Sequence, residues 1–396
     1  MAVKGVIFDV SDTLVAASGA AASGVRAALD RLRNLDVAVV AVSTHPARQS
    51  LARAGIDVDL LVTKADVKAN KGNPVWIDFI KERTGLQTNE LIYVGDSDLD
   101  MRTAANSHMV YVHAVWAASH GRYGIPAPTP DWVAAVVEHI FRKQHHWYWS
   151  LDTQDRDGHR VRTMALIDGN GAGDSNLKND LIAVLKREES RKVGRMELRD
   201  FLVLHLIASL YGEGLTEEVD WWTTYPGRQG QRKQALGSLL EYGAKLFRDK
   251  YQPDLFVRHS PAIHSRDARS EGGLLGAIRN QVDTIHLNPA LHSHLVGRKV
   301  LTIDDFVTDG PTTEVARNML LAGGSADVIN VGIGKYGPNM NVLTLKPGAG
   351  QAWNIFAATP QYDNLVFEHR PERGYRDMTA LNEFLQSRNA IAGEPL

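Results

Sequence analysis

Short apolar runs alternate with amphipathic stretches along the first 140 residues, a pattern that predicts parallel strands flanked by helices. Gly5 to Phe8 reads as a buried strand, Gly24 to Leu35 as an amphipathic helix, Val37 to Val42 as a second strand and Leu91 to Val94 as a later one. Each strand leads into a polar residue: Asp9, Ser43 and Asp96. In an open α/β sheet the ligand crevice lies beyond the carboxyl ends of the strands, so three groups remote in sequence are expected to converge there. Trp132 to Lys143 predicts a further helix, after which Asp, Asn and Gly become frequent. A second α/β pattern follows the apolar helix predicted from Leu198 to Leu210: Val300 to Ile303 is a strand, Thr312 to Ala322 a helix, and Val328 to Ile333 another strand. A last helix is predicted near Met378 to Ser387. The fold class is therefore α/β in two domains. Residues 1–145 form the first, 146–197 a connecting segment or hood, 198–345 the second, and 346–396 an extension.

Composition narrows the partners. With 396 residues, 44% of them hydrophobic, the chain can build a core for each domain, and neither a disordered chain nor a disulfide-stapled miniprotein fits. Lys plus Arg number 44 against 46 Asp plus Glu, for a net charge of −2. That balance carries no strong nucleic-acid signal, so any polyanion must be met by a local patch. The absence of cysteine excludes disulfides, thiolate metal sites and a cysteine nucleophile. The opening residues hold one lysine and a short apolar stretch broken by Asp9, too little for a signal peptide. No run approaches the ~18 apolar residues of a membrane helix. A soluble cytoplasmic chain without a membrane partner is the expectation.

The first candidate site is Phe8-Asp9-Val10-Ser11-Asp12-Thr13-Leu14 after the first strand, Ser43 at the end of the second, Lys71 expected to open a helix, and Gly95-Asp96-Ser97-Asp98-Leu99-Asp100 after a later strand. A carboxylate attacks phosphorus only if its own charge is offset, which calls for a bridging Mg²⁺, a lysine and a hydroxyl donor together. In order, spacing and placement these residues resemble the haloacid dehalogenase (HAD) superfamily over about residues 3 to 115. The resemblance implies Asp9 as nucleophile, Asp96 as metal ligand, Asp100 as support for the metal or for Lys71, and Ser43 and Lys71 as phosphate holders. Family phosphatases usually carry an aspartate two residues after the nucleophile as acid and base. Here that residue is Ser11, which predicts slow hydrolysis, since such assistance is worth ~10²- to 10⁴-fold. The gaps between Asp9 and Ser43 and between Ser43 and Lys71 are too short to hold a cap domain. A large substrate, or a neighbouring domain acting as lid, is then expected.

The second candidate is Val300-Leu301-Thr302-Ile303-Asp304-Asp305-Phe306-Val307-Thr308-Asp309-Gly310-Pro311-Thr312-Thr313. Adjacent carboxylates can accept hydrogen bonds from vicinal ribose hydroxyls, while N–H groups and hydroxyls at a helix N-terminus hold a phosphate. The segment resembles the phosphoribosyl pyrophosphate (PRPP) loop of type I phosphoribosyltransferases, and with Arg266, Arg269, Arg279 and Asn280 upstream it looks like the competence-associated (ComF-type) branch over about residues 198 to 345. The resemblance implies that Asp304 and Asp305 grip the ribose, that Thr308, Asp309, Gly310, Thr312 and Thr313 surround the phosphate, and that Arg228, Arg232 and Lys233 of the Thr223–Lys233 segment meet pyrophosphate. Asp309 puts a negative charge where a small neutral residue is common, and Pro311 removes one N–H donor.

Together the two likenesses imply a Mg²⁺-dependent transferase that makes a nucleoside 5′-monophosphate from PRPP and a nucleobase, fused to a phosphatase or phosphate-binding module. Such fusions resemble bacterial stress-response systems. The alternatives are a PRPP or nucleotide sensor, and a phosphatase whose C-terminal half recruits substrate. Weaker candidates are the glycine-rich Ile167–Gly173, which lacks the Lys-Ser/Thr of a P-loop and reads as a turn, the adjacent His145 and His146, and His292-Ser293-His294 with strand-like spacing. All three are read as structural or surface features.

Overall fold

The computed structural model describes residues 2–117, 124–142, 147–171, 175–193, 196–230, 234–346, 348 and 360–368. The helix expected at Met378 to Ser387 and the pair His145–His146 lie outside them. Six parallel strands form the first sheet: β1 (Gly5–Asp9), β2 (Ala38–Ser43), β3 (Leu60–Thr63), β4 (Leu91–Gly95), β5 (Tyr111–Ala114) and β6 (Ile125–Ala127). Their spatial order is β3-β2-β1-β4-β5-β6. β1, β4 and β5 are buried along their full length and β2 along all but its first residue, which is why they read as continuous apolar runs rather than alternating ones. The order reverses between β1 and β4, and a doubly wound sheet opens its crevice at that point. Asp9 and Asp96 leave these two strands. The first sheet is a Rossmannoid α/β domain of the expected kind.

A second six-stranded sheet follows. Its order is Lys250–Tyr251, Trp221–Thr224, Lys299–Val307, Asp327–Lys335, β8 (Arg160–Asp168) and β7 (Trp149–Gln154), and β7 runs antiparallel to its neighbour. Two features differ from the sequence expectation. The segment 146–197 is more than a connector, because β7 and β8 lie within it and β8 pairs with Asp327–Lys335. The strand expected over Val300 to Ile303 continues to Val307, so Asp304 and Asp305 sit inside the strand rather than in a loop after it. The neighbouring Gly334 makes this extension possible: a Cβ there would come within 2.6 Å of the Phe306 ring. His292 and His294 lie on the helix Pro289–Leu295, not on a strand.

The two domains share one hydrophobic cluster, which runs from Val6 and Ile80 through Phe201 and Leu210 to Trp222 and Ile329. Their polar contacts lie where the strands begin. The Tyr211 hydroxyl donates to the Leu91 carbonyl at 2.5 Å, and the Asn89 side chain donates to the Gly212 carbonyl at 3.4 Å. Leu91 opens β4, and the preceding Glu90 carbonyl accepts from Lys4 at the foot of β1. On the other side, Gly212 ends the helix Leu198–Gly212 just before the strand Trp221–Thr224 starts, and Arg248, which bonds Asn106, precedes Lys250. The domains thus meet foot to foot. Among the described residues these polar contacts do not involve Asp9, Ser43, Lys71 or Asp96.

Candidate functional site

At the head of the first sheet, Asp9 closes β1 and is buried with the Lys71 ammonium against it. Lys71 sits in the loop before the helix Val75–Thr84 rather than opening it. Its Nζ donates to both Asp9 and Asp100, the latter at 2.8 Å. Asp100 is fully buried and saturated. One oxygen also accepts from the Tyr93 hydroxyl at 2.8 Å, and the other accepts from the Ser97 hydroxyl at 2.5 Å and its N–H at 3.2 Å. Ser97 returns the bond by accepting from the Asp100 N–H, which makes a capping box that fixes the helix Asp98–Ala105. Of the two supporting roles expected for Asp100, it performs the one toward Lys71.

Carboxylate oxygens of Asp9, Asp96 and Asp100 lie within 4.8 Å of one another. Burial and the Asp100 charge push the Asp9 carboxyl up to about 7 against the pull of Lys71. Burial and Asp100 raise Asp96 as well. Burial works against the Lys71 ammonium, but Asp100 and Asp9 outweigh it and hold its pKa above the usual lysine value. One lysine thus leaves the cluster short of positive charge. Ser43 is buried at the end of β2, where its hydroxyl accepts from the His45 N–H at 3.1 Å. Ser11 is exposed, and the next residue, Asp12, takes a left-handed backbone with φ of 58°. Two contributors carried no sequence assignment: Thr13, whose hydroxyl donates to Asp96 at 3.2 Å, and Tyr93. The Ser97-x-x-Asp100 spacing was a readable signal for the capping box; nothing local marks Tyr93.

At the head of the second sheet lies a cavity of about 770 Å³. Asp304, Asp305, Thr308, Asp309, Gly310, Thr312 and Thr313 line it, and Arg228, Arg266 and Arg269 face them. Asp304 Oδ1 accepts from the Asp305 N–H at 2.9 Å, and Asp305 Oδ1 accepts from the Phe306 N–H at 2.8 Å. Asp309 is neutralised by Arg269 and fixed by Asn341, whose amide donates to the Asp309 carbonyl at 2.8 Å. Its charge therefore does not stand alone at the loop. Gly310 caps the helix Pro311–Ala322 with φ of 99°. A Cβ there would strike Met340 at 2.6 Å, so both conformation and space require glycine. Thr313 donates its hydroxyl to the Gly310 carbonyl at 2.9 Å and Thr308 donates to Asp309 Oδ1 at 3.2 Å, which leaves Thr312 as the hydroxyl of the loop for which no donation is seen among the described residues. Arg232 and Lys233 lie outside the described residues.

Residues unmarked by the sequence shape this cavity too. Lys186 approaches Asp305 at 3.9 Å and stands 5.2 Å over the Phe306 ring, which stacks on Tyr336. Lys335, fully buried, donates to the carbonyls of Tyr336, Gly337 and Asn339 at 2.8–3.0 Å and to that of Thr308. It ties the cavity loop to the turn after the next strand. Burial lowers its pKa to about 8.

Residues 6–114 match the family model of haloacid dehalogenase-like hydrolases. The first domain is a HAD-like hydrolase domain. Similar solved structures include a HAD phosphatase from Thermococcus onnurineus, at 25% identity over 28% of this chain and 55% of that one, with a TM-score of 0.26. A HAD-superfamily hydrolase of subfamily IA from Geobacter sulfurreducens is 15% identical over 33% of this chain and 98% of its own, with a TM-score of 0.30. A structure from Bacteroides fragilis described as haloacid dehalogenase-like is 21% identical over 24% of this chain, with a TM-score of 0.23, and the chain spans 48% of its length. No curated protein matches the chain.

Proposed function

We propose that the first domain hydrolyses phosphomonoesters with Mg²⁺, and slowly. The observation that carries this is the carboxylate cluster of Asp9 and Asp96 with Lys71 inside it. The donor set fits a hard divalent cation: the oxygens are close, and burial with mutual repulsion raises both carboxyls. Asp9 and Asp96 would hold Mg²⁺, which supplies charge compensation for the phosphate and the incoming carboxylate. Asp9 then attacks phosphorus, Lys71 and Ser43 hold the phosphate oxygens, and the alcohol leaves. With Ser11 where an acid is usual, the departing alkoxide takes its proton from water at an open site. Water afterwards cleaves the aspartyl phosphate. A phosphomonoester panel assayed with Mg²⁺ tests this: Asp9→Asn is expected to lower the rate by at least ~10³-fold. Retained activity in that variant overturns the reading.

A second reading is favoured by the cavity of about 770 Å³, a volume in the usual range for small-molecule sites. There Asp304 and Asp305 would bind the ribose of PRPP, and the N–H groups of Thr312 and Thr313, the phosphate. Arg228 would meet the pyrophosphate displaced by a nitrogen nucleophile. Calorimetry with Mg²⁺-PRPP is expected to show binding that falls about 10-fold or more on Asp304→Asn with Asp305→Asn, each charge-assisted bond being worth about 1.5–3 kcal/mol. Binding without pyrophosphate release for any base assigns a sensor, and no binding removes both forms of the reading.

A further inference from the structure

Beside the Asp9 cluster runs an open groove of about 870 Å³. Lys64, Lys68 and Arg102 form its cationic rim, and Asn70, Asn73 and Asn106 add amides. Lys71 and Leu99 are shared with the margin of the cluster. No carboxylate lines the groove. In a chain of net charge −2 this is a local basic patch of the kind a polyanion would need. Lys64, Lys68 and Arg102 are exposed and enter no ion pair among the described residues, whereas Lys71 pairs with Asp9 and Asp100 and keeps its third N–H for the phosphate at Asp9. Asn106 is held by the Gly72 carbonyl and by Arg248 of the second domain, which fixes the groove's far wall.

We infer that this groove binds a second anionic group on the substrate, so that the ester cleaved at Asp9 is one whose alcohol carries a further phosphate. The inference rests on the reading of Asp9 as a phosphomonoester site. Its physical basis is charge. Three neighbouring cations of like charge repel one another, and a phosphate placed among them offsets that repulsion and gains charge-assisted hydrogen bonds from each. The gaps between Asp9, Ser43 and Lys71 are too short to hold a cap that would recognise the alcohol, so recognition falls to the surface beside the cluster. A single phosphate held by Lys71, Ser43 and the metal would leave this surface unused.

The test uses the full chain with Mg²⁺. Calorimetry compares adenosine 3′,5′-bisphosphate with adenosine 5′-monophosphate, and a rate assay follows p-nitrophenyl phosphate. The bisphosphate is expected to bind about 10-fold tighter, with an advantage that shrinks as ionic strength rises. That advantage is expected to disappear in the triple variant Lys64→Gln, Lys68→Gln, Arg102→Gln, which keeps kcat/KM for p-nitrophenyl phosphate within about three-fold at about 0.15 M salt or above, where the Debye length falls to about 8 Å. A 5′-phosphorylated oligonucleotide presents the same chemistry as a polymer: tighter binding than the bisphosphate assigns the groove to a nucleic-acid end, and equal or weaker binding assigns it to a small bisphosphate. Equal affinity of the wild type for mono- and bisphosphate overturns the inference, as does a variant that loses p-nitrophenyl phosphate activity in step with bisphosphate affinity. A bisphosphate preference without turnover of any ester leaves the groove standing and removes the Asp9 reading.

Discussion

In the first domain a lysine stands inside the carboxylate cluster; in the second, arginines stand across a cavity from the acidic pair. Asp9 and Asp100 meet the same ammonium, and what remains is a compact excess of negative charge that suits a small dication. Asp304 and Asp305 are instead turned onto the backbone N–H groups that follow them, and Lys186 approaches Asp305 at 3.9 Å. Both sites use the same device, carboxylates at the head of a parallel sheet. The two sites differ in the spacing between charges, close-set in the first and spread across a cavity in the second.

The cavity is backed by a buried ionic network of its own. Arg317, fully buried, joins Glu314 in the first turn of the helix Pro311–Ala322 to Asp155 after β7, at 2.9 Å on each side. Glu314 also accepts from the Leu343 N–H at 2.9 Å, which locks the helix start against the strand Asn339–Lys346. Removing the cation would strand two buried carboxylates, a change that costs about 3–5 kcal/mol. Arg317→Met is therefore expected to lower the denaturation midpoint strongly and to abolish ligand binding at the cavity. Denaturation equal to wild type would break the distinction drawn between the two sites.

Ser11→Asp sharpens the comparison from the other side. Restoring a carboxylic acid two residues after the nucleophile is expected to raise phosphomonoester hydrolysis by about 10²-fold, the lower bound of general acid–base assistance. Stability and cavity binding should not move. No gain across a broad ester panel would mean that a step other than proton transfer limits the rate.

The first site was largely legible in the sequence because each of its residues ends an apolar run, and the register of a fully buried parallel strand fixes where that run stops. Asp9, Ser43 and Asp96 are placed by their own strands, and the helix Val25–Asn34 falls within one residue of its predicted bounds. The second domain was less legible for the opposite reason. β8 finds its parallel partner at Asp327–Lys335, more than 150 residues away, and a pairing that distant leaves no local mark. The alternating Trp149-Ser150-Leu151-Asp152 of β7 was a period-two signal beside a run rich in Asp and Gly, and the composition concealed it. Strand length past Ile303 depends on the glycines of the adjacent strand. The foot-to-foot docking rests on Tyr211 and Asn89, polar side chains whose partners are backbone atoms of the other domain. A hydrogen bond to a backbone carbonyl carries no residue-type signature in the partner.

The smallest effect separates two raised carboxyls, one in each domain. Asp9 is pushed up to about 7 by burial and by Asp100; Asp249 is pushed up to about 8 by burial, against the hydrogen bond that its Oδ2 accepts from the Trp222 indole at 2.9 Å. Of the two, Asp9 has a lysine against it, whereas Asp249 has the like charge of Asp220 nearby. Asp249 stands at the foot of the second sheet, where ionisation brings only cost. With a folded pKa of about 8 and an ordinary value near 3.8, the native state holds a proton that the unfolded chain releases between those values. The stabilisation is complete below about pH 4 and is lost as pH rises through about 8. Asp249→Asn keeps an oxygen for the indole and cannot ionise. With Mg²⁺ held constant, its melting temperature relative to wild type is expected to rise by on the order of a few °C between pH 5 and pH 8. Parallel curves across that window would show that Asp249 is already ionised in the folded protein, and that burial at the foot of the sheet is offset there as it is at the head of the first.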